Sequence, residues 1–199
     1  MTTLLKPGNE KVLRIFYENK GNSFHLRELA RKTKLYGQSI TRYLNQLEKV
    51  DILKSEKEGN LKKYSLKKNK QVYAALALFD IEKYERLSSI RKNAIASYLS
   101  MLKEKPVFVV LFGSTGKETY RSDSDIDLLI ITNRKIETKA AEKEADMLTS
   151  VKISTFQMIY SEFIKEIKMK EDLVVQSAMF SGYPVINHIA YYEALNERV

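Results

Sequence analysis

Two carboxylates near the middle of the chain have the spacing to hold a divalent cation. Asp125 and Asp127 stand two residues apart at the start of the apolar run DIDLLII. Side chains two apart on a strand project from one face, so the carboxylates converge while Ile126 and Leu128 turn to the other face. A hard cation such as Mg²⁺ relieves the resulting repulsion. The alternative is a polar turn entering a strand, but Asp127 lies within the apolar run, where an unpaired carboxylate is costly.

A Gly-Ser pair precedes these carboxylates and could bind phosphate. Gly113 and Ser114 end the apolar run VFVVLF and open a short polar segment. Backbone N–H groups and the Ser114 hydroxyl could receive a phosphate at a helix N-terminus. Lys117 and Arg121 follow in the same segment, where they either contact phosphates or belong to a solvated turn.

The whole stretch GSTGKETYRSDSDIDLLI resembles the signature of the minimal nucleotidyltransferases in the DNA polymerase β superfamily. The resemblance covers about residues 90–190, with its motifs in 108–132. It implies a mixed sheet flanked by helices, an NTP held at the Gly-Ser turn, and two Mg²⁺ ions between the aspartates and the triphosphate. By this resemblance Gly113 and Ser114 match the phosphate-binding pair, Asp125 and Asp127 match the first two metal ligands, and Ser124 matches the residue before them.

The sequence departs from this family at the turn after the Gly-Ser pair. Many members have glycine where Glu118 stands, and here a glycine occurs earlier, at Gly116. We therefore expect the turn geometry to differ.

A second departure concerns the third carboxylate that active members carry on a later strand. The segment VKISTFQMIY is the natural place for that strand, and it contains no acid. Ser154 or Thr155 occupies the expected position, and Asp146 and Glu162 are candidate substitutes outside the strand. Because the third carboxylate helps to bind metal and can activate the attacking hydroxyl, its loss is expected to weaken or abolish catalysis.

Positive charge is concentrated at the start of the chain. Residues 1–70 hold 17 Lys and Arg against 7 Asp and Glu, a net charge of +10, whereas residues 71–199 hold 17 against 18. Clustered positive charge gains affinity for nucleic acid by releasing counterions from phosphates. A well-solvated lysine-rich surface is the alternative, and RNA binding by the basic segment is a third interpretation.

The element order of this basic segment predicts how it would meet DNA. Apolar spacing indicates three helices, the third within QSITRYLNQLEKVDIL, followed by two strands around Gly59. This order resembles winged helix-turn-helix DNA-binding domains over about residues 9–68. The resemblance implies that the third helix enters the major groove of double-stranded DNA and that the hairpin touches its backbone or minor groove. The alternative is that this segment serves in protein docking, as many winged helices do. The predicted DNA contacts are Gln38, Ser39, Thr41, Arg42 and Asn45 on the helix, and Lys57, Asn60, Lys62 and Lys63 on the hairpin.

Residues 70–105 contain one proline-free run with apolar residues spaced as on an amphipathic helix, and we expect one long helix that Pro106 ends. The run is a spacer, part of the second domain's core, or a dimer seam. We therefore expect an α+β protein with a winged helix-turn-helix over 1–70, a helical connector over 71–105 and a nucleotidyltransferase-fold domain with a mixed sheet over 106–199. The symmetry of most DNA operators favours a homodimer.

Composition excludes several other classes of protein. The 199 residues include no cysteine and only two histidines, so disulfides and zinc sites built on these residues are excluded. No apolar run approaches a membrane span, and we expect a cytoplasmic protein. The expected function is Mg²⁺-dependent transfer of a nucleoside monophosphate from an NTP to an unidentified protein or nucleic-acid acceptor. The alternative is a DNA-binding regulator, antitoxin-like, whose transferase fold binds nucleotide without efficient catalysis.

Overall fold

The computed structural model describes residues 5–197 and divides into two compact units between Phe79 and Asp80. Residues 1–4 and 198–199, which the predicted first and last domains include, lie outside the described residues. Across residues 5–197, no helix has both the length and the apolar character that crossing a membrane requires.

The first unit contains the predicted three helices and hairpin, together with one short strand that was not predicted from the sequence. Its elements are α1 (Pro7–Glu18), β1 (Phe24–His25), α2 (Leu26–Thr33), α3 (Gln38–Lys49), β2 (Leu53–Glu58), β3 (Leu61–Leu66) and the first part of α4 (Lys70–Glu85). The three strands form an antiparallel sheet in the order β1-β3-β2. Strand β1 has only two residues, so its pairing with β3 depends on the tertiary structure rather than on a local pattern.

Packing of α1 against α3 fixes which side of α3 meets solvent. Ile40, Leu44 and Leu47 recur at helical spacing and are fully buried, as are Val12 and Leu13 of α1. Burial of this apolar stripe leaves the polar side of α3 exposed. The apolar residues of the third predicted helix thus anchor it in the core of the first unit.

The second unit is built around a four-stranded mixed sheet. Its elements are the end of α4, then α5 (Ser89–Met101), β4 (Phe108–Phe112), α6 (Gly113–Gly116), β5 (Ile126–Thr132), α7 (Lys139–Thr149), β6 (Ile153–Ile159), α8 (Tyr160–Met169), α9 (Leu173–Ser181), β7 (Tyr183–Ile186) and α10 (His188–Asn196). The strand order is β6-β5-β4-β7, with β5 and β6 parallel and the other pairs antiparallel. The predicted α+β class and the mixed sheet flanked by helices are confirmed.

Helices cover both faces of this sheet. On one face, Ile126 and Leu128 of β5 join a buried cluster with Tyr98 of α5 and residues of α7. On the other face, Phe108 of β4 makes edge-to-face contacts with Phe163 of α8 and Tyr191 of α10. Alternate residues of β5 therefore face different layers, and Asp127 lies on the face opposite Tyr98.

The proline-free run after residue 70 is two helices rather than one. Helix α4 ends at Glu85, and the Ser88 side chain accepts a hydrogen bond from the Arg91 backbone N–H to begin α5. Ile95 and Tyr98 of α5 are fully buried in the core of the second unit. The spacing of apolar residues along the run did not reveal the break between α4 and α5. Of the three roles left open for this run, α5 takes that of a core helix.

Candidate nucleotide site and candidate nucleic-acid interface

Gly113 and Asp127 meet at the point where β4 ends. Phe112 pairs with Asp127 across the two antiparallel strands, so the next residue turns directly against the Asp127 carboxylate. The backbone of Gly113 has a φ of +64°, in the left-handed region that glycine favours. A β-carbon on Gly113 would also overlap the Asp127 carboxylate. Backbone conformation and space therefore both require glycine, and they bring the Gly-Ser turn onto the predicted metal ligand.

The two carboxylates are half-buried and electrostatically unequal. Burial raises the pKa of Asp127, and the negative charge of Asp125 raises it further. Asp125 Oδ2 lies 3.2 Å from the Lys152 ammonium, whereas no ion pair among residues 5–197 includes Asp127. Two convergent carboxylates with one of them uncompensated are a donor set that suits a hard cation such as Mg²⁺.

Strand β6 decides which residue stands in the place of the third carboxylate. Ser154 is the register partner of Asp127 on the parallel neighbouring strand, so both side chains project from one face. Thr155 projects from the opposite face, where its hydroxyl donates to the Tyr98 hydroxyl at 3.0 Å. Of the two predicted candidates, Ser154 therefore borders the site and Thr155 does not.

The two substitute acids do not complete a metal site. Asp146 is exposed on α7, which packs on the face opposite Asp127, and Glu162 is exposed in the first turn of α8. Within residues 5–197, no three His, Asp or Glu side chains come together in a group able to hold a metal ion. Neither Asp146 nor Glu162 therefore joins Asp125 and Asp127 in a three-acid group.

Arg91 holds the segment between the two motifs, and sequence reasoning missed it. Its guanidinium is almost fully buried and donates to Thr115 Oγ1 at 2.9 Å, to the Arg121 carbonyl at 2.9 Å and to the Ser124 carbonyl at 2.7 Å. It also stacks over the Tyr120 ring at 4.1 Å. Burial lowers the pKa of Arg91. No local motif could have identified this residue, because most of its partners are backbone carbonyls and a ring more than twenty positions away.

The hydroxyl of Thr115 extends this support to the carboxylates. Thr115 is fully buried and donates to the Asp125 carbonyl at 3.3 Å while it accepts from Arg91. Helix α6 and the start of β5 are thus linked through one hydroxyl and one guanidinium. The relative position of the Gly-Ser turn and the aspartates depends on buried groups rather than on the exposed polar loop.

The other predicted phosphate contacts lie around this support. Ser114 is half-buried in α6, and Lys117 and Arg121 are exposed, with Lys117 at the end of that helix. The Ser124 hydroxyl accepts a hydrogen bond from the Arg121 N–H at 2.9 Å. Ser124 therefore stabilises the turn that leads into β5, while Ser114, Lys117 and Arg121 remain predictions as phosphate contacts.

Glu118 adopts a backbone conformation that a glycine would favour. Its φ is +59°, and its carboxylate lies 3.3 Å from the Arg86 guanidinium. A non-glycine residue in this region carries a conformational cost. The turn therefore has a left-handed residue at this position although the sequence has no glycine there.

In the first unit, the exposed side of α3 forms an open groove of about 720 Å³. Thr41 and Asn45 are exposed along it, and the Arg42 guanidinium stacks at 5.0 Å over the Tyr43 ring. Ser39 is half-buried and does not line the groove. The groove is lined by Leu26, Gly37, Gln38, Thr41, Arg42, Asn45, Gln46 and Lys49.

The β2–β3 hairpin carries lysines in two different electrostatic settings. Lys57 and Lys62 are exposed register partners on adjacent strands, and no ion pair in the described part of the chain includes either of them. Like charges directly opposite each other destabilise a hairpin. Lys63 instead pairs with Glu58 at 3.0 Å. Asn60 is exposed at the turn. Lys57 and Lys62 are the uncompensated charges of this hairpin.

Comparison with known proteins bears on the second unit. Residues 93–179 match the family model described as polymerase beta, nucleotidyltransferase. The match runs from α5 into α9 and includes the Gly-Ser turn, both aspartates and strand β6. It supports a nucleotidyltransferase domain over this stretch, which is somewhat less than half of the chain. No curated protein and no solved structure shows a significant match to the chain.

Proposed function

We propose that this protein is a nucleotidyltransferase that binds an NTP with Mg²⁺ at the Gly113–Ser114 turn and transfers a nucleoside monophosphate to a hydroxyl of a protein or nucleic-acid acceptor. The observation that carries the proposal is the close packing of Gly113 on the Asp127 carboxylate, with Asp125 on the same side. The family match over residues 93–179 supports the same activity.

Asp125 and Asp127 would hold the cation. A bound Mg²⁺ would supply positive charge against the negative charge that develops on the phosphate oxygens. The chain's own contribution is positional, because Gly113 admits the phosphates close to Asp127 and the Arg91 guanidinium keeps α6 aligned with β5. In the reaction the acceptor oxygen bonds to the α-phosphorus as the bond to pyrophosphate breaks. Ser154 is not a base at neutral pH, so the hydroxyl proton passes to water or to a group on the acceptor.

We further propose that the first unit is a winged helix that binds double-stranded DNA. The net charge of residues 1–70, the groove along α3 and the uncompensated Lys57 and Lys62 support this role. Arg42 and Asn45 are placed on the exposed side of α3, where they could reach base edges, and the hairpin lysines would contact phosphates. Binding to a symmetric operator would require two copies of the chain, and a homodimer is part of this proposal.

The position of Ser154 favours a second candidate function. A neutral side chain where a carboxylate would activate the acceptor predicts slow turnover even when nucleotide binds. The protein would then be a DNA-binding regulator whose transferase fold senses NTP. In that case NTP changes the affinity for DNA, and DNA changes the affinity for NTP by the same factor.

Transfer of labelled nucleotide tests the proposal and separates the two candidates. The protein is incubated with each α-³²P-labelled NTP and Mg²⁺, with and without co-purified macromolecules, beside Asp127→Asn and the exposed-turn control Asp123→Asn. Label that becomes acid-stable on an acceptor with the wild type and the control, but not with Asp127→Asn, is the expected result. An inactive wild type that binds NTP and alters its DNA affinity supports the sensor. A wild type that binds no NTP overturns both.

A further inference from the structure

Lys152 borders the carboxylate pair, and the family signature gives it no role. The Lys152 carbonyl accepts a hydrogen bond from the Ile126 N–H at 2.9 Å, which places Lys152 beside the first residue of β5. Lys152 directly precedes β6 and stands two residues before Ser154. Its ammonium lies 3.2 Å from Asp125 Oδ2, although 69% of the Lys152 side chain is exposed. The sequence therefore has a cation and a neutral hydroxyl along the edge where a third carboxylate would stand.

This arrangement gives the two aspartates different electrostatic surroundings. Asp125 already has a positive partner, and Asp127 has none among the described residues. The backbone at Gly113 also closes on Asp127 rather than on Asp125. A cation that enters with the triphosphate would find its uncompensated ligand at Asp127, beside the Gly-Ser turn.

We propose that the Lys152 ammonium replaces the second metal ion, so that this site takes a single divalent cation with its NTP. The inference rests on the proposed nucleotide binding and specifies how the site is charged. Lys152 is then a positioning residue that neutralises Asp125 and attracts the triphosphate.

Charge balance supports this assignment. A site of three carboxylates and two divalent ions carries one net positive charge. Asp125, Asp127, the Lys152 ammonium and one divalent ion also carry one net positive charge. Loss of the third acid alone would leave two metal ions with too few anionic ligands, whereas loss of the acid together with gain of a lysine conserves the charge that meets the triphosphate.

The same arrangement disfavours a second metal ion. The Ser154 hydroxyl is a neutral ligand, and Mg²⁺ in proteins is bound mainly by carboxylates and phosphate oxygens. An ammonium group next to Asp125 repels a further cation at that carboxylate. The second metal position should become usable only when the lysine is removed and an acid is supplied.

Equilibrium dialysis counts the ions directly. The full-length protein is dialysed with Mn²⁺ and ATP, GTP, CTP or UTP, and protein-associated Mn²⁺ and nucleotide are measured for the nucleotide that binds most tightly. We expect one Mn²⁺ per bound nucleotide in the wild type and two in the Lys152→Met, Ser154→Asp double variant. Lys152→Met alone should weaken nucleotide binding about tenfold, and Lys143→Met, an exposed lysine on α7, should leave it unchanged.

The outcomes separate this inference from the proposed function. Two Mn²⁺ per nucleotide in the wild type, or equal nucleotide affinity in Lys152→Met and Lys143→Met, would overturn the role of Lys152 while nucleotide binding stands. A double variant that stays at one Mn²⁺ per nucleotide would also overturn it. A wild type that retains no nucleotide overturns the inference and the proposed function together.

Discussion

The exposed side of α3 and the carboxylate site on β5 are built in opposite ways. On α3, side chains such as Thr41, Arg42 and Asn45 protrude from a regular helix that buried leucines and an isoleucine hold in place. At β5, three separate segments of the chain contribute the groups that define the site. These groups are a glycine backbone, a buried arginine and two half-buried carboxylates. Substitution on α3 should therefore change binding without changing stability. Substitution around β5 should often change both.

The largest expected effect is on nucleotide affinity. Asp127→Asn removes the uncompensated charge that a cation needs, and we expect affinity for NTP with Mg²⁺ to fall by about 100-fold or more. DNA affinity should not change. Titration calorimetry and DNA binding measure the two, with Asp123→Asn, in the exposed turn, as the control. Unchanged nucleotide affinity in Asp127→Asn would refute the site assignment.

The second effect is on stability and tests whether buried groups support the site. Arg91→Met leaves the Arg121 and Ser124 carbonyls without their donor, and we expect the free energy of unfolding of the second unit to fall by about 2–4 kcal/mol. Arg134→Met removes an exposed arginine paired with Glu104, and because solvent screens that pair, its loss should lower the free energy of unfolding much less. Urea denaturation compares the two variants. Equal losses of unfolding free energy in the two variants would show that the buried Arg91 guanidinium stabilises the second unit no more than an exposed arginine does.

The third effect concerns DNA and should leave the stability of the first unit intact. Arg42→Ala should reduce discrimination between DNA sequences by about 1–3 kcal/mol if Arg42 contacts a base edge. Lys62→Ala should instead weaken binding to every duplex and reduce the slope of log K against log salt by about 1.

Lys63→Ala is the matched control on the hairpin. Lys63 already pairs with Glu58, so its loss should weaken binding to DNA less than the loss of Lys62. Fluorescence anisotropy over a salt series measures all three variants. Salt-independent binding to duplex DNA would contradict the proposed interface.

The smallest expected effect is a difference between wild type and Asp127→Asn in how the stability of the second unit depends on pH. Because the folded state raises the pKa of Asp127, it binds this proton more tightly than the unfolded chain does. The stability of the second unit should therefore decline as pH rises from the ordinary pKa of aspartate through the raised value, and Asp127→Asn should remove that decline. On the hairpin, Lys63 lowers the pKa of the exposed Glu58, so its contribution has the opposite sign. Urea midpoints over a pH series that are parallel for wild type and Asp127→Asn would contradict the first expectation.

Local patterns in the sequence are sufficient to predict the helices and strands that bury one face. The spacing of Ile40, Leu44 and Leu47 predicts α3 and its exposed side, because a helix repeats every 3.6 residues whatever packs against it. The alternation around Asp125 and Asp127 likewise predicts that Ile126 and Leu128 face the core, as the structure confirms. Periodicity does not reveal where one helix ends and another begins, so the break between α4 and α5 was not predicted.

The sequence by itself determined which residue types are present at the candidate site: two aspartates two apart, a Gly-Ser pair, and no acid in the β6 segment. Only the tertiary structure decided that Ser154 rather than Thr155 borders Asp127, since this depends on the register of two parallel strands. Likewise, only the tertiary structure brought the Arg91 guanidinium to the Ser124 carbonyl and the Lys152 ammonium to the Asp125 carboxylate. The physical reason is that such contacts join groups 24 or more residues apart through distance and burial, which no spacing along the chain encodes.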